Sequence, residues 1–228
     1  MTDSTPKITL YTYFRSSCSA RLRIALNLKN IPYTPIPINL LKGEQRTATN
    51  TTLNPSATVP TLIAEYPTPA KTVTITQSLP ALEYLEEITP STTPSLLPPA
   101  SSPELRAVAR TLANIIACDV QPVTNLRILK RVEAYGVDRT AWAKELTEDG
   151  LRAYEAVAAS VAGEFSVGDS ITIADVCLLP AVWNAQRVGV DLEPFPVIRR
   201  VVERLEEVDA VKRGHWRAQA DTPEEFRV

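Results

Sequence analysis

Residues 89–103 of this chain read TPSTTPSLLPPASSP and hold five of its 19 prolines. Each proline removes a backbone donor and biases the residue before it away from helical geometry, so no helix or central strand runs through this stretch. It reads as a linker between two domains whose texts differ in kind. Before it, short apolar runs alternate with helical periodicity. The pattern predicts strands over 8–13 and 33–39, helices over 17–29 and 44–51, a loop running into a strand that ends at 63, a strand over 72–76 and a helix over 78–88. That order is a βαβ unit followed by a hairpin and a helix, an α/β layer of modest size. After the linker helical periodicity takes over, with helices opening near Pro103 and expected over 139–163, 173–187 and 196–207. The second domain is therefore all-α. The expected division is 1–88, a linker over 89–102, and 103–228.

With 228 residues, 44% of them hydrophobic, the chain can bury one large core or two smaller ones. A formal net charge of −2 with acids and bases interspersed argues against a nucleic-acid surface or an anionic-membrane surface. No apolar run approaches the ~20 residues that cross a bilayer. The opening MTDSTPKITL lacks the basic and apolar blocks of a signal peptide, so the cytoplasm is the expected location. Three cysteines, Cys18, Cys118 and Cys177, are odd in number and widely spaced, which argues against a disulfide framework. Cys118 and Cys177 lie in apolar helical text and are expected to be buried. A single histidine, His215, cannot build a His-rich metal cluster, and no metal is expected.

The chemistry concentrates in YFRSSCSARLRIALNLK, residues 13–29. Here Ser16, Ser17, Cys18 and Ser19 follow a strand and open an amphipathic helix near Ser17. A helix start offers unpaired N–H donors and the positive end of the dipole. A thiolate placed there is stabilised, whether it belongs to the protein or to a bound thiol. Serines in this position also serve as plain N-caps, and the local text alone leaves both roles open. Cys18 has no partner at the Cys-x-x-Cys spacing of a redox pair, which favours a neighbour that tunes the site over a nucleophile. Thr172-Ile173-Ala174-Asp175 is a capping-box variant whose role is folding.

Several words of this text resemble one family. SSCSARLRIALNLK, PINLLKGEQ after the second strand, the NPSATVPTL loop and QSLPALEYLEE resemble the zeta class of the cytosolic glutathione transferases, the maleylacetoacetate isomerases. So do QPVTNLRILKRV, GDSITIADVCLLPAVWNAQR and DTPEEFR in the second half. The likeness runs from about residue 7 to 227.

The resemblance implies a thioredoxin-like N-terminal domain followed by an all-helical domain, glutathione as cofactor, and a homodimer. It also implies cis–trans isomerisation of 4-maleylacetoacetate to 4-fumarylacetoacetate, in phenylalanine and tyrosine breakdown, by thiolate addition, rotation and elimination. Conjugation or dehalogenation of small α-halo acids, isomerisation of maleylpyruvate, and a non-catalytic interaction module are the alternatives.

Residue by residue, the resemblance makes Ser16 the donor to the thiolate, with Ser17 and Cys18 in support. Val59-Pro60 matches a cis-proline loop that pairs with the cysteinyl part of glutathione. Gln77 and Ser78 match the pair that holds its γ-glutamyl carboxylate, and Gln45 a residue near its glycine end. Gln121 and Asn125, one turn apart on one helical face, match second-domain residues lining the cofactor site. Arg187, Arg21 and Lys42 are expected to meet substrate carboxylates. Ala20, where the family often has an aromatic residue, Arg127 in place of a small residue, and a long hairpin connection over 65–71 depart from the pattern.

Overall fold

A computed structural model describes residues 5–90 and 93–227. The outer limits of the two expected domains, 1–4 and 228, and positions 91–92 of the linker lie outside the described residues. In chain order the elements are β1 Lys7–Thr12, α1 Ser17–Leu28, β2 Tyr33–Pro37, α2 Ala48–Leu53, β3 Thr61–Pro67, β4 Ala70–Ile75 and α3 Ser78–Ile88. Then come α4 Pro103–Asn114, α5 Gln121–Thr124, α6 Leu126–Ala134, α7 Arg139–Ala158, α8 Ile173–Arg187, α9 Pro196–Glu206 and α10 Asp209–Gly214. The chain forms two compact units, one of residues up to 94 together with those from 209 onward, the other of residues 95–208. The text that reads as a helical domain continuing to 228 thus ends in a segment that packs with the first unit.

In that first unit the sheet order is β2-β1-β3-β4, with β1 parallel to β2 and antiparallel to β3. Thr12 pairs with Pro37, Tyr11 with Thr61 and Leu62 with Ile75. This register brings the carboxyl ends of β1, β2 and β4 and the amino end of β3 to one edge, where the loops before α1, α2, β3 and α3 all open. The expected long connection over 65–71 is mostly strand, since Glu65, Tyr66 and Pro67 pair with Thr72, Lys71 and Ala70. Ladder pairing satisfies the backbone groups that a loop would leave to water. The helix expected over 44–51 is split. Glu44–Arg46 is a single 3₁₀ turn, and Thr47 is extended and caps α2 with its hydroxyl, the position its side chain prefers.

Helix α1 is buried continuously from Ser19 to Leu26, Arg21 and Arg23 included. Helix α10 covers it closely: a Cβ on Gly214 would stand 2.7 Å from Ile24 Cγ1, so only glycine lets the two backbones approach. Asn27 Nδ2 donates to Ala210 O at 3.1 Å across the same contact. At the far end of α1, Lys29 is buried and pairs with Glu86 at 2.6 Å, fastening α1 to α3.

The second unit is helical and built around α8, buried without a break from Ile173 to Trp183. Its start forms the expected capping box. Asp175 accepts from Thr172 N, Thr172 Oγ1 and Ser166 N at 2.7, 3.0 and 2.8 Å, and Thr172 Oγ1 accepts from Ala174 N at 3.3 Å. Burial pushes the Asp175 carboxyl above its ordinary value, although these hydrogen bonds pull the other way. Helix α7 stops at Ala158 and not near 163; beyond it Gly168 N donates to Val161 O in a local turn. Cys177 is buried as expected, but Cys118 is exposed, on a π-helical turn spanning Ile115–Val120.

Candidate functional site

The loop edge of the sheet gathers the sequence-predicted residues of the first unit. Val59 packs with Tyr13 and Phe14 in a buried cluster that Ile38, Leu40 and Trp216 flank, so the loop before β3 lies against the turn that leads into α1. That turn closes by Ser16 N donating to Tyr13 O at 3.0 Å. Ser16 then caps α1, its Oγ accepting from Ser19 N at 3.2 Å. A hydroxyl that accepts through one lone pair keeps its own proton to donate. The N–H groups of Ser17 and Cys18 have no acceptor among the described residues, and no acid stands in the first turn. All three conditions favour an anion at this point.

A second helix start repeats the pattern. Gln77 is the cap residue of α3, exposed, and spends no side-chain bond on the cap. Ser78, buried, accepts from Arg21 Nη1 at 3.0 Å. Since a guanidinium only donates, this bond turns the Ser78 hydroxyl proton towards another acceptor. Arg21 is 1% exposed, so it stands behind Ser78 and does not present its charge at the surface as the substrate role expected. The structure places Arg21 beneath the Ser78 hydroxyl.

Val59-Pro60 is cis, and Val59 makes no hydrogen bond with another backbone group among the described residues. Gln45 sits in the 3₁₀ turn, its Oε1 buried and without a hydrogen-bond partner there. Lys42 is exposed in the same connection. Two helix starts with unspent N–H groups, a free peptide edge at Val59 and an open amide at Gln45 form a donor and acceptor set that suits a tripeptide with a thiol and two terminal carboxylates. Glutathione fits that description.

Gln121, Asn125 and Arg187 belong to the second unit. Gln121 opens α5, but Asn125 is extended and caps α6, its Oδ1 accepting from Ile128 N and its Nδ2 donating to Pro122 O. The two therefore do not share one continuous helical face, because the asparagine caps the next helix. Arg187, at the exposed end of α8, donates to Asn184 Oδ1 at 3.1 Å.

Of two further residues at the site, the sequence places Arg23 beside the hydroxyl cluster without giving it a role, and does not single out Asp221. Arg23 is fully buried and donates to Thr12 Oγ1, Tyr13 O, Phe14 O and Gly214 O. Burial lowers its pKa to about 10. Asp221 accepts from Phe14 N at 2.8 Å. A visible signal existed for the first: Arg21 and Arg23 interrupt the apolar positions of a short helix, and a helix buried all round must take such charges inside. For Asp221 no spacing rule spans the 207 positions to its partner.

The model described as "Glutathione S-transferase, N-terminal domain" matches residues 15–88, and that described as "Glutathione S-transferase, C-terminal domain" matches 124–209. The chain is 73% identical to a maleylacetoacetate isomerase of Aspergillus fumigatus, over 100% of this chain and 99% of that one. Among solved structures it is similar to maleylacetoacetate isomerase from Anaeromyxobacter dehalogenans with glutathione bound in the active site. There the TM-score is 0.86 at 36% identity, covering 96% and 100% of the two chains. It is also similar to a bacterial maleylpyruvate isomerase described as a zeta-class glutathione transferase, with TM-score 0.84 and 38% identity over 94% and 100%.

Proposed function

The chain belongs to the zeta-class glutathione transferases, the family of the maleylacetoacetate isomerases, and on that premise we infer that it isomerises 4-maleylacetoacetate to 4-fumarylacetoacetate with glutathione as cofactor. The chemistry supplied by bound glutathione is reversible addition of its thiolate to the cis double bond, which becomes a single bond free to rotate before elimination restores the thiol.

This chain's residues make that chemistry accessible near neutral pH. The observation that carries the reading is Ser16, whose lone pair is spent on Ser19 N and whose proton remains to be donated to sulfur. Together with the N–H groups of Ser17 and Cys18 it favours the thiolate over a thiol whose unperturbed pKa is about 8.5. Val59 holds the peptide portion by its backbone. Gln77 and Ser78, with Arg21 behind, hold the γ-glutamyl carboxylate, and Gln45 orients the glycine end. Lys42 and Arg187, both exposed, are the cations assigned to the substrate carboxylates and to the negative charge that would develop on the substrate. Gln121 and Asn125 are assigned to cofactor binding by the family resemblance.

The chain acts as a homodimer, as its family membership argues; light scattering at twice the chain mass tests this. Its place of action is the cytoplasm. The three cysteines are free thiols, and among the described residues no helix is long and apolar enough to cross a membrane.

The test is to follow isomer formation and total thiol with and without glutathione. Isomerisation that needs glutathione and does not consume it is expected, and Ser16→Ala should cost about 100-fold in kcat/KM, the order of losing one fixed donor. Net thiol loss with formation of a conjugate would overturn the isomerase reading in favour of a conjugating transferase. A second reading, maleylpyruvate as substrate, follows from the comparable likeness to a maleylpyruvate isomerase. The ratio of kcat/KM for the two substrates decides between them.

A further inference from the structure

The chain enters α1 through one peptide unit, Tyr13–Phe14, and two distant residues hold both of that unit's polar groups. Asp221 Oδ2 accepts from the Phe14 N–H at 2.8 Å. Arg23 Nη1 donates to Tyr13 O at 3.3 Å and to Thr12 Oγ1 at 2.9 Å, and its Nη2 donates to Phe14 O at 2.9 Å. Tyr13 O is also the acceptor that closes the turn onto Ser16 N. A rotation of this peptide plane would break the bonds on both of its sides and carry Ser16 with it.

The segment that supplies Asp221 is itself braced. Arg23 Nε donates to Gly214 O at 3.1 Å, Thr222 Oγ1 donates to Trp216 O at 2.6 Å, and the Trp216 ring lies 6.4 Å from that of Phe14. Well-packed apolar residues could fill the space of a buried guanidinium without its desolvation cost. What they could not do is donate four hydrogen bonds in fixed directions.

The geometry points to Asp221 and Arg23 as positioning residues for the thiol chemistry: they lock the Tyr13–Phe14 peptide and so set where the Ser16 hydroxyl stands at the start of α1. This rests on the reading of Ser16 as the donor to glutathione sulfur. The C-terminal segment is on this account a working part of the site. It acts through the turn and not on the reacting atoms.

The experiment measures the pKa of enzyme-bound glutathione from its thiolate absorbance, alongside the Kd of S-methylglutathione, which has no ionisable thiol, and the melting temperature. Asp221→Ala is expected to move the thiol pKa up in the same direction as Ser16→Ala, by about one unit, a tenfold loss of thiolate below the wild-type pKa. S-methylglutathione should bind as in the wild type. Asp221→Asn, whose amide oxygen can accept the same N–H, should recover most of the shift. Should Asp221→Ala fail to fold, Asp221→Glu, which displaces the carboxylate by one methylene, carries the same expectation.

Arg227→Ala removes bonds to Ala220 O and Thr222 O in the same segment, and is expected to lower the melting temperature only. An unmoved thiol pKa in the Asp221 variants while Ser16→Ala shifts it would overturn this inference and leave the Ser16 reading standing. An unmoved pKa in Ser16→Ala would overturn both. A shift in Arg227→Ala as large as in Asp221→Ala would reduce the segment to general stability and overturn the positioning role.

Discussion

Helices α1 and α8 begin alike and end up with opposite uses. Each is capped by a hydroxyl, Ser16 on Ser19 N and Thr172 on Ala174 N. At the third helical position α8 carries Asp175, which accepts from three donors and neutralises the positive end of its own helix. The same position in α1 is Ser19, and no acid stands in that first turn. One helix start is buried with its donors satisfied inside the chain, Ile173 N by Leu96 O among them; the other keeps N–H donors that a bound anion can satisfy. A helix start thus becomes a binding site by the omission of its internal acid as much as by the residues it adds.

The largest test of this contrast is Asp175→Ala. It strands buried donors of Thr172 and Ser166 and should cost about 3 kcal/mol of stability, read by chemical denaturation, with glutathione affinity of the folded protein unchanged. Making α1 more like α8 is the converse. Ser17→Asp puts an acid into that first turn, two positions before the place Asp175 holds in α8, and calorimetry should find glutathione bound about tenfold more weakly, with stability little changed.

A smaller effect separates the two regions by pH. His215, in the segment that braces α1, has its pKa lowered to about 4, by burial first and then by Arg217 and Arg23. Its Nδ1 accepts from Arg217 N at 3.2 Å, which requires the neutral ring. Between the ordinary imidazole value of 6.5 and about 4 the folded state binds fewer protons than the unfolded one. The stability present above that window is therefore lost as pH falls through it. Melting temperature against pH should decline on the acid side for the wild type and less steeply for His215→Asn. Least affected should be Cys18→Ala, with kcat/KM within about threefold of wild type if Cys18 is a neighbour of the thiolate and not a nucleophile. A loss comparable to that of Ser16→Ala would assign it the chemistry instead.

Local rules made much of this legible. The hydroxyl cluster before α1, the capping box of α8 and the helix start at Gln77-Ser78 each depend on residues within one turn of one another, and each stands where the text placed it. Expectations failed where a residue's neighbours decide its state. Arg21, expected to meet a substrate carboxylate, is buried behind Ser78. Asn125 looked like a residue on a continuous face and is a cap. The 65–71 stretch looked like a long hairpin connection and is mostly paired strand, with Thr68-Pro69 left as the turn.

By itself, the sequence determined the two kinds of domain text, the elements that open on the sheet's loop edge and the hydroxyls at the start of α1, because periodicity and capping are short-range properties of the chain. Only the tertiary structure decided that both arginines of α1 are internal, and that Asp221 holds the Phe14 amide from 207 positions away. The physical reason is that a buried donor or charge must find its acceptor in space, and that acceptor can come from any part of the chain that packing brings within about 3 Å.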